Sequence, residues 1–408
     1  MAFSLVPGIA VLLCGFITAP EITLMTIGAL VAVVWCFVGY GWLKKILIRR
    51  APLKSLLEKQ LPTLTILLPL NKEANMVQQL SDMLRQIDYP GALIDCLVLL
   101  ESDDHETALA SLNIDWPDFV RIVTVPEGTP RTKARACNYG LLYSAGEIVV
   151  IFDAEDKPHP QQMREAAAKF AAADQRLACL QAPLHIVPHP DNWLQAQFAL
   201  EYALLFYVKL PGLDEALECL PLGGSSNYFR RSALLQVGGW DAYNLTEDAD
   251  LALRFAGYGY RIGTLRHPTI ENAPHNIAIW HSQRTRWLSG HIQTLHAYAA
   301  WHLKYGAGDA SHFHWRPFML AALAVMMVRL ISGIFFIASA VLLLLPFELQ
   351  FPSLFTYVSL GFYSVFFSVL IYLAPNKNLI DRLVLAATHP IYWTMTFIPL
   401  LYAIKRMV

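Results

Sequence analysis

Charge is scarce in this sequence. Only 15% of its 408 residues are Asp, Glu, Lys or Arg, and 55% are hydrophobic, whereas a soluble globular domain is about 25% charged. With a mean hydropathy of +0.39, that deficit points to a membrane. The formal net charge is -1, so there is no basic excess of the kind that nucleic acid demands of a main partner. Cysteines are few and stand singly, at Cys14, Cys36, Cys96, Cys137, Cys179 and Cys219. The absence of any C-x-x-C pair argues against a structural zinc site or a disulfide framework and fits a reducing compartment. No repeat of fixed period and no low-complexity tract is present, which removes solenoids and flexible arrays. No G-x-G-x-x-G follows the first apolar strand, which disfavours a dinucleotide dehydrogenase.

The missing charge is concentrated at the two ends. Met1 to Pro20 and Thr23 to Trp42 contain none, with Glu21 between them. No basic residues precede the first run, so a helical hairpin through the bilayer is the better reading than a cleaved signal peptide. Lys44, Lys45, Arg49 and Arg50 follow at once, and positive residues mark the cytoplasmic side. Near the other end, Phe318–Leu345 (interrupted by Arg329), Leu354–Ala374 and Leu383–Ile404 are each long enough to span. Arg329 reads equally as an intramembrane functional group or as a side chain reaching a headgroup. Three full crossings would put Lys405 and Arg406 outside, against the charge rule, so one segment is expected to lie in the interface or re-enter. The chain thus divides into a hairpin over 1–45, a cytoplasmic domain over 46–300 and interfacial or transmembrane helices over 301–408.

Between the ends the pattern changes to short apolar runs that alternate with amphipathic ones. Leu64–Leu70, Ile94–Leu100, Val120–Val125 and Ile148–Phe152 read as strands, and Glu73–Ile87 and Thr132–Ser144 as helices. Such alternation predicts an α/β domain with a mostly parallel sheet. The strands run out into polar groups: Asn71, Lys72 and Glu73; Glu101, Asp103 and Asp104; and Asp153, Glu155 and Asp156. In open α/β sheets ligands bind beyond the carboxyl ends of the strands, so these acids mark the site. Asp153 and Glu155, two apart, suit a hard divalent cation shared with a phosphate-bearing substrate.

Two later stretches carry more chemistry. In T-E-D-A-D, Thr246 is placed to cap a helix whose first turn holds Glu247, Asp248 and Asp250. A carboxylate there can also serve as a general base. In W-H-S-Q-R-T-R-W-L-S-G-H, Gln283 and Trp287 share a helical face and Arg286 adjoins the tryptophan. An aromatic platform suits a sugar, and an arginine fork suits a diphosphate. The same residues also fit an amphipathic helix anchored at a membrane surface.

D-A-E-D at 153–156, T-E-D at 246–248 and Q-R-T-R-W at 283–287, in that order between apolar ends, resemble the processive family-2 glycosyltransferases of GT-A (Rossmann-like) fold. That group includes cellulose, hyaluronan and poly-N-acetylglucosamine synthases. D-A-E-D is closer to bacterial exopolysaccharide synthases and the phage adsorption protein B type. The resemblance covers about Leu61 to Thr294. It implies that Asp153 and Glu155 hold Mg2+ or Mn2+, with Glu155 in place of the usual second Asp, and that Asp248 is the catalytic base supported by Glu247 and Thr246. It assigns Glu73, Glu101, Lys133, Asn138, Asp153, Gln283 and Arg286 to the nucleotide-sugar donor. Trp287 and the G-G-S-S-N loop with Gly224, Ser225 and Asn227 go to a glycan or lipid acceptor. A bacterial cytoplasmic membrane, export partner subunits and an inverting reaction also follow from the resemblance. Two departures stand out. Ser289 occupies a position where lysine is expected, and no cyclic-dinucleotide-binding region follows the last apolar segment. Two further readings remain: transfer of a single sugar to a lipid acceptor, and a non-catalytic membrane scaffold or receptor component, which the full set of acids disfavours.

Overall fold

The strands form where both faces of an apolar run can be buried at once. The computed structural model describes residues 56–217, 220–305, 364–375 and 378–407, together with Cys36, Gly39, Tyr40, Leu43 and Leu47. Strand β1 (Leu64–Leu70) shows why a continuous apolar run is needed: Leu64, Ile66 and Leu68 enter one core and Leu67 the other. Successive side chains of a strand point to opposite faces, and a parallel sheet covered on both sides has no polar face.

Strands β2 (Ile94–Glu101), β3 (Val120–Val125) and β4 (Ile148–Ile151) alternate with helices α1 (Val77–Arg85), α2 (His105–Leu112) and α3 (Lys133–Tyr143). Next come β5 (Lys157–Pro158), α4 (Gln162–Ala172), β6 (Leu177–Gln181), β7 (Leu184–Ile186) and α5 (Trp193–Leu204). Helix α6 (Leu210–Leu217), β8 (Asn227–Arg230), α7 (Arg231–Gln236), α8 (Glu247–Gly257), β9 (Arg261–Thr264) and β10 (Thr269–Glu271) follow. The long α9 (Ile277–Tyr305) ends this part of the chain. A short apolar helix α10 (Ser364–Leu373) precedes α11 (Leu379–Met395) and α12 (Phe397–Met407).

The main sheet has seven strands in the order β3-β2-β1-β4-β8-β6-β9, and a small one has the order β5-β10-β7. In the large sheet β3, β2, β1 and β4 are mutually parallel, β8 is antiparallel to both neighbours, and β6 and β9 are parallel again. A mostly parallel sheet is therefore present, as expected. The chain leaves β1 toward β2 and β3, then reverses to lay β4 on the other side of β1. That reversal opens a crevice between the carboxyl ends of β1 and β4, where ligands of doubly wound sheets bind.

The expected helices are shorter than the sequence pattern suggests. The stretch from Glu73 opens as a single turn, Ala74–Met76, before α1. At α3 the Thr132 hydroxyl accepts from the Arg135 amide at 3.3 Å, so the helix begins at Lys133. Of the expected membrane segments, the 1–45 hairpin and Phe318–Leu345 lie outside the described residues, apart from four scattered positions of the hairpin. Among the described residues one helical stretch, Leu379–Arg406, is long and apolar enough to cross a membrane, and 44% of its most apolar window is buried within the protein. It is broken at Thr396 into α11 and α12, and α11 packs on α5 through buried side chains.

Candidate active site

The crevice at the β1/β4 reversal holds a cavity of about 320 Å³, lined by Asn71, Glu73, Glu101, Lys133, Asp153 and Glu155 among others. Pockets of roughly this size and larger hold small-molecule ligands. Each of these residues enters from the carboxyl end of a strand or the first turn of a helix. Lys72 adopts a left-handed φ of 62°, and its amide donates to Asp104. Glu73 follows, with its amide on the Thr107 hydroxyl at 3.0 Å. Glu101 ends β2 and sits beside Arg135 at 3.4 Å and Arg131 at 3.9 Å. After β4 the chain turns sharply, the Asp153 amide donating to Asp156 Oδ2 at 2.8 Å.

Negative charge crowds this turn. Burial first, and then the charges of Glu155 and Asp153, push the Glu73 carboxyl up to about 7. Burial and the Asp153 charge likewise raise Glu155. Lys133 offsets the excess: its ammonium pairs with Asp153 and donates to the Gly224 carbonyl at 2.7 Å. Burial would lower the Lys133 pKa, but Asp153 and Glu247 outweigh it, so the lysine is held charged. Among the described residues no group of three or more His, Cys, Asp or Glu is placed to hold a metal ion. Asp153 and Glu155 are nonetheless hard oxygen donors in a cavity with surplus negative charge. They fit a hard cation whose remaining ligands come from phosphate and water.

The T-E-D turn meets this cavity across the Gly224 loop. A Cβ built on Gly224 would lie 3.9 Å from Asp248 Oδ2, and Lys133 binds the same glycine's carbonyl, so base candidate and metal candidates flank one loop. Asp248 is pushed up to about 7, first by burial and then by Glu247, against the pull of Lys133 and Arg286. Thr246 stands at the capping position of α8, but its hydroxyl makes no cap bond; the Thr246 amide donates to Asn244 Oδ1 at 2.9 Å instead. The reason lies in α9. A Cβ on Gly290 would fall 2.5 Å from Thr246 Oγ1 and 2.7 Å from its amide nitrogen, so the helix packs directly against the T-E-D turn. Gly290→Ala is therefore expected to cost about 1–3 kcal/mol of stability and, on the base role that the resemblance implies for Asp248, to lower sugar transfer more than donor binding. A thermal melt and a transfer assay check it, and an unchanged pair would show that the contact is not tight.

The family model described as glycosyl transferase family group 2 matches residues 148–404, well over half of the chain. The chain belongs to that family. Probable glycosyltransferase YdaM of Bacillus subtilis (strain 168) is 23% identical over 235 residues, 57% of this chain and 56% of the relative. Beta-monoglucosyldiacylglycerol synthase of Synechocystis sp. is 28% identical over 250 residues, 59% and 50% of the two chains. Cellulose synthase 2 of Novacetimonas hansenii is 28% identical over 215 residues, 46% of this chain and 13% of the relative. The chain spans about half the length of the first two. Among solved structures, mannosyltransferase PcManGT from Pyrobaculum calidifontis in complex with GDP-Man and Mn2+ aligns with a TM-score of 0.55 at 20% identity, over 90% of this chain and 99% of that one. That likeness shows the fold.

In this family member the expected donor residues divide into two groups. Glu73, Glu101, Lys133 and Asp153 line the cavity, whereas Gln283 and Arg286 stand on α9 beyond the T-E-D turn, Arg286 donating to the Leu245 carbonyl at 3.5 Å. Asn138 departs from the expectation. Both ends of its amide are taken by the Trp240 backbone, at 2.7 and 2.9 Å, so it holds the G-G-W turn ahead of the T-E-D segment rather than reaching the cavity. Ser225 and Asn227 are buried at 1% and 3% exposure; the Ser225 side chain bonds the Asp156 carboxylate, whereas Asn227 Oδ1 and Gln283 Oε1 have no hydrogen-bond partner among the described residues.

Sequence reasoning missed three residues of this candidate site. Gln181 pins the 223–225 loop, accepting from the Gly223 amide at 2.6 Å and donating to the Ser225 carbonyl at 3.1 Å. Glu271 ends β10 and is raised well above the usual carboxylate range, first by burial and then by Asp156, Asp153 and Glu155. The signal for it was the same rule of acids at strand ends, but a three-residue strand is too short to be seen as one. Gly290 carried no signal, because its role is set by a contact with Thr246, distant in sequence.

Proposed function

We propose that the protein is an inverting hexosyltransferase of the bacterial cytoplasmic membrane that moves a sugar from a nucleotide-sugar, UDP-linked by analogy, onto a growing β-linked polysaccharide. One observation carries this reading: the Asp153/Glu155 pair and Asp248 arrive from separate elements at opposite sides of the Gly224 loop, with Lys133 joining them. Asp153 and Glu155 are the residues that would hold Mg2+ or Mn2+, and the bound ion would neutralise charge on the donor diphosphate. Lys133 and Arg286 supply fixed positive charge toward the same leaving group. Asp248 takes the proton of the acceptor hydroxyl as its oxygen bonds to the anomeric carbon. The bond from that carbon to the diphosphate breaks, and the electron pair leaves with the phosphate. A single base opposite the leaving group inverts the anomeric centre, so an α-linked donor gives a β-linkage.

A second reading, transfer of one sugar to a lipid, has a specific observation behind it. The outer face of α11 and α12 exposes Ile380, Val384, Ile391, Ile398 and Leu401, which suits contact with lipid. The alignment with beta-monoglucosyldiacylglycerol synthase is also longer than that with cellulose synthase 2. Export partner subunits belong to the polymer reading alone.

The test is a panel of nucleotide sugars with Mg2+ or Mn2+ in membranes holding the full chain, followed by sizing and NMR of the product. One donor giving a β-linked polymer is the expected result. An α-linkage would overturn inversion, a single-sugar lipid would overturn the polymer, and turnover of no donor would overturn the reading as a whole.

A further inference from the structure

Within Q-R-T-R-W the site described above uses Gln283, Arg286 and Trp287, and leaves Arg284 without a role. Arg284 is 2% exposed, on the side of α9 away from the donor cavity. Its Nη1 donates to Glu201 Oε1 on α5 at 3.0 Å, and Nη2 pairs with Glu201 Oε2. The same Nη2 donates to the Tyr392 hydroxyl on α11 at 2.9 Å. That hydroxyl donates to Glu201 Oε2 at 2.8 Å and accepts from Trp280 Nε1 at 3.0 Å. One phenol donor and two acceptor sites are thus all used, and three helices meet on one oxygen.

The guanidinium also lies over the rings that frame the acceptor side. Its carbon is 4.8 Å from the centroid of Trp287 and 5.1 Å from that of Phe198. A buried ion pair adds little stability compared with apolar residues of the same volume, and its best-supported use is to fix one arrangement over others. Further polar ties hold the same helices together: Gln197 on α5 donates to the Leu385 carbonyl at 2.9 Å and the Thr388 hydroxyl at 2.8 Å. The Trp193 indole reaches that hydroxyl at 3.0 Å.

We propose that Arg284, Glu201 and Tyr392 are positioning residues that set the Trp287 ring, so that transfer to the acceptor depends on how the C-terminal helix α11 is seated on the catalytic domain. This rests on the reading that Trp287 floors the acceptor site. None of the three residues lines the donor cavity.

Tyr392→Phe is the decisive variant, because it removes the shared hydroxyl and keeps the ring and the ion pair. Arg284→Met would leave Glu201 buried without its partner and can fail to fold; Trp280→Phe, which removes one bond to the hydroxyl, is the milder companion and should act in the same direction. In membranes holding the full chain, the tritiated form of the donor found by the panel reports labelled sugar in product and labelled sugar released to water. The ratio of transfer to hydrolysis is expected to fall roughly tenfold in Tyr392→Phe, or about 1.4 kcal/mol, with donor KM unchanged. A purely structural defect lowers both rates together; an unchanged ratio overturns the proposal. Should wild type turn over no donor, the function reading fails on its own, and hydrogen exchange of the purified full chain decides this one. Faster exchange over 283–294 than over 148–156 in Tyr392→Phe supports it, and equal protection of both overturns it.

Discussion

Asp248→Asn is expected to lower sugar transfer by about 10²–10⁴-fold, the range that a general base contributes, and at the same time to make the folded protein more stable at pH 8. Both effects come from one environment. The Asp248 carboxyl is raised to about 7 by burial and by Glu247, against about 3.9 for an unperturbed aspartate. The acid form is thus favoured in the folded chain, and its stabilising contribution is full below about pH 4. That contribution is lost progressively as pH rises toward 7, because the unfolded chain ionises first. Asparagine never ionises and loses nothing over that window. The gain at pH 8 is on the order of 2 kcal/mol once the partial exposure of the side chain is allowed for, and no gain is expected at pH 4. Thermal melts at the two pH values measure it. In wild type, kcat/KM should rise with pH through about 7 and level off above. A variant that keeps full activity, or a rate that falls over that limb, would remove Asp248 as the base.

Chelation is expected to abolish transfer, with Mn2+ or Mg2+ restoring it, and Asp153→Asn should raise the half-saturating metal concentration by roughly 10–100-fold. The grounds are the two carboxylates of the D-A-E-D turn and the acids that crowd them. Asparagine still offers an oxygen but carries no charge, and it also releases Lys133 from its ion pair. Full turnover in the presence of EDTA would show that Lys133 and Arg286 carry the leaving-group charge alone, and would sink the metal assignment.

How much of this was legible beforehand follows from the range of the interactions. Strands β1, β2 and β4 were visible because a strand buried on both faces must be apolar almost throughout, and the exposed edge strand β3 because it is rich in β-branched residues. The acids at their ends were visible for the same reason, since polar residues interrupt the run at a fixed edge. Lys133 was placed by its motif. What escaped depends on partners far along the chain. Asn138 belongs to Trp240, Gln181 to the 223–225 loop, and Arg284 to Glu201 and Tyr392. Thr246 looked like a helix cap because the preference is local, but its backbone and hydroxyl are set by Asn244 and Gly290. The C-terminal apolar segment looked like a free span because hydropathy does not see that Tyr392 and Trp393 are buried against protein.

The large sheet also sets a gradient of stiffness across the molecule. Paired strands cannot slip by less than a whole residue, and a one-residue slip turns every side chain over. The donor cavity, whose walls are the ends of β1, β2 and β4, therefore has one shape. The face that carries Trp287 is built from α5, α9 and α11, which the Arg284–Glu201–Tyr392 network ties into one body, and packed helices shift by an ångström or two as such a body. One substrate is a small molecule of constant size. The other, under the proposed function, would be the end of a chain or a headgroup held in a bilayer, so the helical wall, moving as one body, would face the substrate whose position varies.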